Sequence, residues 1–180
     1  MSHLPLWYLG KLDSDTCNQI IAEMSGIEEV REASMGIDGA KKNKMTRDTK
    51  VRFGKPDYWL NYQFDNFAME ANKECKWEYH ITCSEAIQFA EYGPEQHYAW
   101  HTDTFALAGT PTDRKITIVC LLNDDFEGGQ FQIRLNEDYT VPLEKGTIVA
   151  FPSILEHRVI PVTSGIRYSA TMWFSGPRFR

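Results

Sequence analysis

A mainly β, α+β fold class is predicted by three features of this 180-residue chain. From residue 85 onward, short apolar segments alternate with turn signals, and no helical periodicity appears among them. Two segments with helical apolar spacing precede that region. Helices do not alternate with strands in the second half, which disfavours a parallel α/β sheet. About eight strands in roughly 90 residues then point to a double-sheet sandwich or jelly roll, a double-stranded β-helix, with about two N-terminal helices over one outer face.

The elements follow in order. Asp13-Ser14-Asp15 offers an N-cap, and Cys17, Ile20, Ile21 and Met24 recur at i, i+3, i+4 and i+7. These predict a helix over 14–25, closed by Gly26. A strand is expected around 28–34. Gly36 to Lys44 holds two glycines and three lysines, Lys41, Lys42 and Lys44, and reads as an exposed loop. Pro56-Asp57 opens a second helix, along which Leu60, Phe64, Phe67, Ala68, Ala71 and Cys75 form one apolar stripe. Strands are expected at 85–92, 96–101, 115–122, 129–135, 139–142, 146–151, 156–161 and 166–174. Gly93-Pro94, Gly109-Thr-Pro111, Asn123-Asp-Asp125, Glu144-Lys-Gly146 and Ser164-Gly165 separate several of them.

Composition bounds the partners. Lys plus Arg total 19 and Asp plus Glu 25, giving −6, so neither nucleic acid nor an anionic membrane is an expected partner. Hydrophobic residues are 42% and aromatics 13%, enough to bury a sizeable core. The longest apolar stretch, about Ile116 to Leu122, is far too short to span a bilayer. Met1-Ser-His-Leu-Pro-Leu-Trp lacks a basic region followed by an apolar one, so no secretion signal is expected. Cys17, Cys75, Cys83 and Cys120 form no Cys-x-x-Cys pair and read as reduced, buried small hydrophobes of a cytoplasmic protein.

The candidate chemistry lies in His101-Thr-Asp103 and His157. A spacing of two at a strand end points both side chains to one face. Two imidazoles and one carboxylate from adjacent strands can occupy one face of a metal octahedron, the facial triad of non-haem Fe(II) oxygenases. His-x-Asp alone is a weak signal. His97 is a rival that strand parity does not exclude but that reads as a non-ligand, while His3 and His80 read as surface or core. Asp124-Asp125-Glu127 reads as a solvated turn, and the lysine cluster with Arg47 as a solvated loop, with recognition of an acidic substrate as the alternative.

Context adds weight. Tyr92-Gly-Pro leads to His97-Tyr98-Ala-Trp-His101-Thr-Asp103, Gly128-Gly129 follows, Phe151-Pro-Ser153 precedes His157-Arg-Val, and Gly165-Ile-Arg167-Tyr closes the series. In this order the segment from about 85 to 177 resembles the catalytic core of Fe(II)/2-oxoglutarate-dependent dioxygenases, in particular the prolyl 4-hydroxylase-like, PKHD-type branch with its short bacterial and bacteriophage hydroxylases. The first 84 residues match more weakly, through a strand from Arg47 to Phe53 followed by the aromatic helix. The resemblance implies one domain over 1–180, with helical support at about 1–84 and the core at about 85–177.

The same resemblance implies Fe(II) on His101, Asp103 and His157, and 2-oxoglutarate held at its distal carboxylate by Arg167 with Tyr92 assisting. An arginine suits that task because its planar fork donates two hydrogen bonds to one carboxylate. Thr117, with Val119 and Leu121, is expected to line the cosubstrate pocket; Leu121 stands where some relatives carry tyrosine. Tyr98 and Trp173 are candidate substrate contacts. O2 is the second cosubstrate, and ascorbate a candidate reductant. Asp103 separates the chain from related halogenases, which lack that carboxylate. The implied activity hydroxylates an unactivated C–H, with a peptidyl proline as first choice and a free amino acid or small metabolite as the alternative. A cupin-type zinc hydrolase and a non-catalytic jelly-roll binding module are the rival classes. A monomer or homodimer is expected, with residues 35–55 as a lid.

Overall fold

A computed structural model describes residues 5–29, 47–104 and 111–178, and residues 31–32 by their backbone. Its elements are β1 (Tyr8–Lys11), α1 (Ser14–Ser25), β2 (Arg31–Glu32), β3 (Arg47–Asp48), β4 (Lys50–Phe53), α2 (Trp59–Glu74), β5 (Cys83–Ser84), β6 (Gln88–Tyr92), β7 (His97–His101), β8 (Thr112–Leu121), β9 (Phe126–Gly128), β10 (Phe131–Arg134), β11 (Asp138–Thr140), β12 (Thr147–Pro152), β13 (Glu156–Val159), β14 (Val162–Gly165) and β15 (Arg167–Pro177). An eight-stranded sheet runs β1-β12-β8-β15-β6-β4-β2, with β5 also on β15. A five-stranded sheet, β11-β10-β13-β7-β3, faces it, and β14-β9 form a two-stranded ribbon. The pairing is antiparallel, as a jelly roll requires.

Alternation along the strands builds two separate cores. Ile116, Ile118, Cys120 and Leu122 of β8 and its end, with Ala170, Met172 and Phe174 of β15, face the helices. Cys17, Ile20 and Met24 of α1 and Leu60, Phe64, Ala68 and Ala71 of α2 pack on them. Burying each large side chain contributes about 1.5–3 kcal/mol. The opposite face of the sheet, with Val119, Val149, Phe151, Tyr92 and Ala90, meets Phe131, Ile133 and Val159 of the five-stranded sheet.

The helices start for distinct reasons. Asp13 caps α1, its two carboxylate oxygens accepting from the Thr16 backbone N–H (2.8 Å) and hydroxyl (2.6 Å). Tyr58 caps α2 without a side-chain bond. The Pro56-Asp57 turn is instead pinned by Asn61, whose amide donates to the Pro56 carbonyl at 2.9 Å.

The expected helices and the eight expected strands are present, with shifted ends: β8 begins three residues earlier and β15 runs three residues further. The strand expected at 28–34 is only β2. Four strands escaped the sequence reading. β1 is an edge strand, β5 is exposed, and β9 and β14 carry the turn residues Gly128 and Ser164-Gly165 within them. Cys17, Cys75 and Cys120 are buried as expected, but Cys83 is exposed, since β5 lies outside both cores. The loop Gly36 to Lys44, and most of the expected lid, lie outside the described residues; 47–53 of that span is β3 and β4. No helix among the described residues is long and apolar enough to cross a membrane.

Candidate active site

The cleft between the two sheets brings the predicted residues together. His101 ends β7 and His157 lies in β13, and the two pair directly across the ladder. Asp103 follows β7, its backbone N–H held by the Ser153 carbonyl at 3.0 Å. Possible ligand atoms of the three side chains lie within 4.8 Å of one another. The His101 Nε2 is 3.6 Å from Asp103 Oδ1, and the His157 Nε2 is 3.4 Å from Oδ2.

Backbone carbonyls set the orientation of both imidazoles. The His101 Nδ1 meets the Ala99 carbonyl at 2.8 Å, and the His157 Nδ1 meets that of Leu155 at 3.0 Å. Each Nδ1–H therefore donates to backbone, which leaves Nε2 as a lone-pair donor aimed at the cluster. Burial, reinforced by the neighbouring His157, pulls His101 down to about 3, so its imidazole is neutral. Burial alone would raise the Asp103 carboxyl; the facing His157 and His101 overcome it and hold the group ionised.

Two further side chains fix that carboxylate. The Thr117 hydroxyl and the Trp173 indole N–H each donate to Asp103 Oδ2 at 2.8 Å. Ser153 in turn donates to Thr117 at 2.9 Å, because the Thr117 proton is engaged. Oδ2 is thereby occupied, and Oδ1 is left available. Two neutral imidazole nitrogens and one carboxylate oxygen are a donor set that fits Fe(II) and equally Zn(II).

Arg167 opens β15 directly opposite Tyr92 on β6. Its guanidinium carbon is 5.5 Å from the Tyr92 ring centroid. The side chain is 1% exposed, Nη1 donates to Ser169 at 3.1 Å, and Nε has no acceptor. No carboxylate among the described residues forms an ion pair with it. Burial lowers the guanidinium below the usual arginine value, yet arginine stays charged in proteins. A buried cation without a counter-ion is costly unless a ligand supplies one. Gly129 makes the space: at φ +64° a Cβ there would lie 2.9 Å from Arg167 Cδ.

Several expected site residues make further contacts. Thr117 was read toward the cosubstrate, but its hydroxyl is committed to Asp103. Trp173 and Tyr98 line the cleft, but the Trp173 N–H also holds Asp103, and the Tyr98 ring stacks on His101 at 3.4 Å and 12°. That stack shows why strand parity alone could not exclude His97. Between the His157–His101 and Val159–Tyr98 pairs, β7 carries one extra residue. The bulge puts Tyr98 and His101 on one face. His97 pairs with Asp48 and is outside the cluster. His80 is exposed, and His3 lies outside the described residues. Asp124, Asp125 and Glu127 are exposed, as expected. Arg47 is not in a solvated loop: it is 9% exposed in β3 and lines the cleft. Its place at the head of the Arg47–Phe53 strand was the available signal.

Known proteins resemble this chain in sequence and in fold. A PKHD-type hydroxylase of Picosynechococcus sp. is 36% identical over 88 residues, covering 48% of this chain and 40% of that protein, so the chain matches less than half of that relative's length. The crystal structure of a Pseudomonas putida prolyl-4-hydroxylase superposes with a TM-score of 0.75 at 22% identity, covering 96% of this chain and 93% of that one. A Trichoplax adhaerens prolyl hydroxylase, in complex with a hypoxia inducible factor oxygen degradation domain peptide fragment, gives 0.76 at 18%, over 94% and 83%. Both structures establish the fold. Residues 87–175, which hold the His-Asp-His cluster, Tyr92 and Arg167, match the 2OG-Fe(II) oxygenase superfamily, and the chain belongs to it.

Proposed function

We propose that the chain is an Fe(II)- and 2-oxoglutarate-dependent hydroxylase in which His101, Asp103 and His157 hold the metal and Arg167 holds the distal carboxylate of 2-oxoglutarate. The observation that carries this reading is Arg167: a buried cation without a counter-ion among the described residues, in the same cleft as the His101 and His157 imidazoles and the Asp103 carboxylate. A zinc hydrolase would use the cluster but has no task for Arg167. A binding module would need neither.

When bound, Fe(II), 2-oxoglutarate and O2 supply the oxidation of a C–H bond, coupled to decarboxylation of the cosubstrate. The chain's own groups position it. His101 and His157 would offer Nε2 to the metal, and Thr117 and Trp173 hold Asp103 Oδ2, so that Oδ1 would be the carboxylate ligand. Arg167 fixes the cosubstrate's orientation through a charge-assisted fork. Val119, Phe131 and Val159 wall the cleft against water. Residues 1–180 act as one domain, since both helices share a core with the eight-stranded sheet.

A prolyl residue of a peptide or protein is the preferred substrate. The prolyl hydroxylases that share the fold support this choice. The test incubates the full chain with Fe(II), 2-oxoglutarate, O2 and a panel of proline-containing peptides. Succinate release matched by addition of one oxygen atom to a peptide is the expected result. Zn(II) retention with no succinate would favour the hydrolase. Absence of both metal and 2-oxoglutarate binding would favour the binding module.

A further inference from the structure

We infer that Arg47 is a specificity residue that binds a carboxylate of the primary substrate, so the enzyme prefers acids over their amides. The inference deepens the dioxygenase reading and rests on it. Arg47 stands directly opposite Tyr98 in the β3–β7 ladder. Its guanidinium carbon lies 4.5 Å from the Tyr98 ring centroid, and the other face of that ring stacks on His101. Arg47, Tyr98 and His101 thus form one column that ends at the His-Asp-His cluster.

The charge of Arg47 is as unanswered as that of Arg167. The side chain is nine-tenths buried and lines the cleft, and Nε has no acceptor. Among the described residues it makes no ion pair. Nearby acids are engaged elsewhere: Asp48 accepts from Gln96, Glu91 pairs with Lys50 and Arg52, and Asp103 Oδ2 is held by Thr117 and Trp173. The aromatic face of Tyr98 satisfies the guanidinium plane but accepts nothing from its N–H edge.

The cosubstrate does not account for it. 2-Oxoglutarate has two carboxylates. One goes to the metal with the 2-oxo group, and the other meets Arg167, which stands on the opposite sheet. Arg47 remains as a second cation beside the metal, on the five-stranded sheet. A carboxylate near the carbon to be hydroxylated fits that place. Such a group can come from a free amino acid, from the C-terminus of a peptide or from an adjacent acidic side chain.

The test loads the full chain with Zn(II), which does no redox chemistry, and saturates it with 2-oxoglutarate so that Arg167 is engaged. Three matched pairs are then titrated by calorimetry: L-proline against L-prolinamide, a proline-terminated peptide with free or amidated C-terminus, and an amidated peptide with Glu or Gln beside the proline. In at least one pair the acid should bind about tenfold or more tighter than its twin. The pair that shows it identifies the source of the carboxylate. Arg47→Gln should bring the two within about twofold, and Arg47→Lys, which keeps charge without the fork, should retain part of the preference. Zn(II) content and 2-oxoglutarate affinity should stay as in the parent chain, and a melting curve checks that each variant folds.

Equal affinity in all three pairs, or no binding by any acid, overturns the inference without recourse to a variant. A preference that survives in Arg47→Gln overturns it too, as does an acid that competes with 2-oxoglutarate. Failure of the dioxygenase reading is visible separately, as loss of Zn(II) or 2-oxoglutarate binding by the parent chain before any acid is added.

Discussion

The two faces of the eight-stranded sheet share a backbone and little else. On β15 the residues Ala170, Met172 and Phe174 face the helices, and Arg167, Ser169, Thr171 and Trp173 face the cleft. On β8, Ile116, Ile118 and Cys120 alternate in the same way with Thr117 and Val119. The helix face is apolar and closed. The cleft face carries a buried cation, hydroxyls and an indole that satisfy or await polar partners. Stability and chemistry are therefore separated by one residue of register, because successive side chains on a strand point to opposite faces. A fold so divided can change its substrate groups without repacking the helices.

Breaking one face should leave the other intact. The largest effect is expected on the cleft side. His157→Ala removes one of three ligands and should abolish succinate formation and metal retention, while the circular dichroism spectrum and unfolding midpoint stay close to the parent's. Full metal occupancy with near-normal turnover in this variant would remove the basis of the site. The converse variant is Phe64→Ala on α2. Phe64 is fully buried, and the lost contacts and cavity should cost about 3–5 kcal/mol. Denaturant unfolding measures that loss. Below the new midpoint, metal and 2-oxoglutarate affinities should be unchanged.

Arg167→Ala comes next. On the proposed reading it would leave the cosubstrate carboxylate buried without a partner, a loss of about 3–5 kcal/mol, so 2-oxoglutarate affinity should fall by roughly 100-fold or more. The metal affinity should be nearly untouched, because Arg167 is not in the ligand cluster. An unchanged Michaelis constant for 2-oxoglutarate would show that the cation serves another ligand.

How much of this was legible follows from range. The helix α1 was readable to the residue, because its cap, apolar spacing and closing glycine are all local. The metal cluster was readable because His101 and Asp103 are two apart and His157 sits at a strand start. Three things were not. The bulge in β7 depends on pairing with β13, so the parity that seemed to admit His97 could not be checked from one strand. The bonds from Thr117 and Trp173 to Asp103 span 14 and 70 residues, and hydroxyls and indoles look alike in sequence whether they touch substrate or hold a ligand. Arg47 was hidden by its neighbours. It follows a lysine-rich segment in the sequence, and only the β3–β7 ladder shows that it belongs to the five-stranded sheet.

The smallest expected effect gives the sharpest comparison, because it uses adjacent residues of one strand. Thr117 faces the cleft and Ile118 faces the helices, both fully buried in β8. Thr117→Val keeps the shape but removes the hydroxyl that donates to Asp103, and it also leaves Ser153 without its acceptor there. Asp103 then keeps only the Trp173 N–H on Oδ2 and can rotate away from the metal. Loss of such a supporting hydrogen bond typically weakens metal affinity by about 10–100-fold. Ile118→Val removes one methylene from the helix-side core and should cost about 0.5–1.5 kcal/mol. The two variants should therefore have similar, modest losses of stability but differ by at least tenfold in metal affinity. Competition with a chromophoric chelator measures that difference. Equal metal affinities would mean that Asp103 is held well enough by Trp173 and the Ser153 carbonyl, and that Thr117 fills space on the cleft face as Ile118 does on the other.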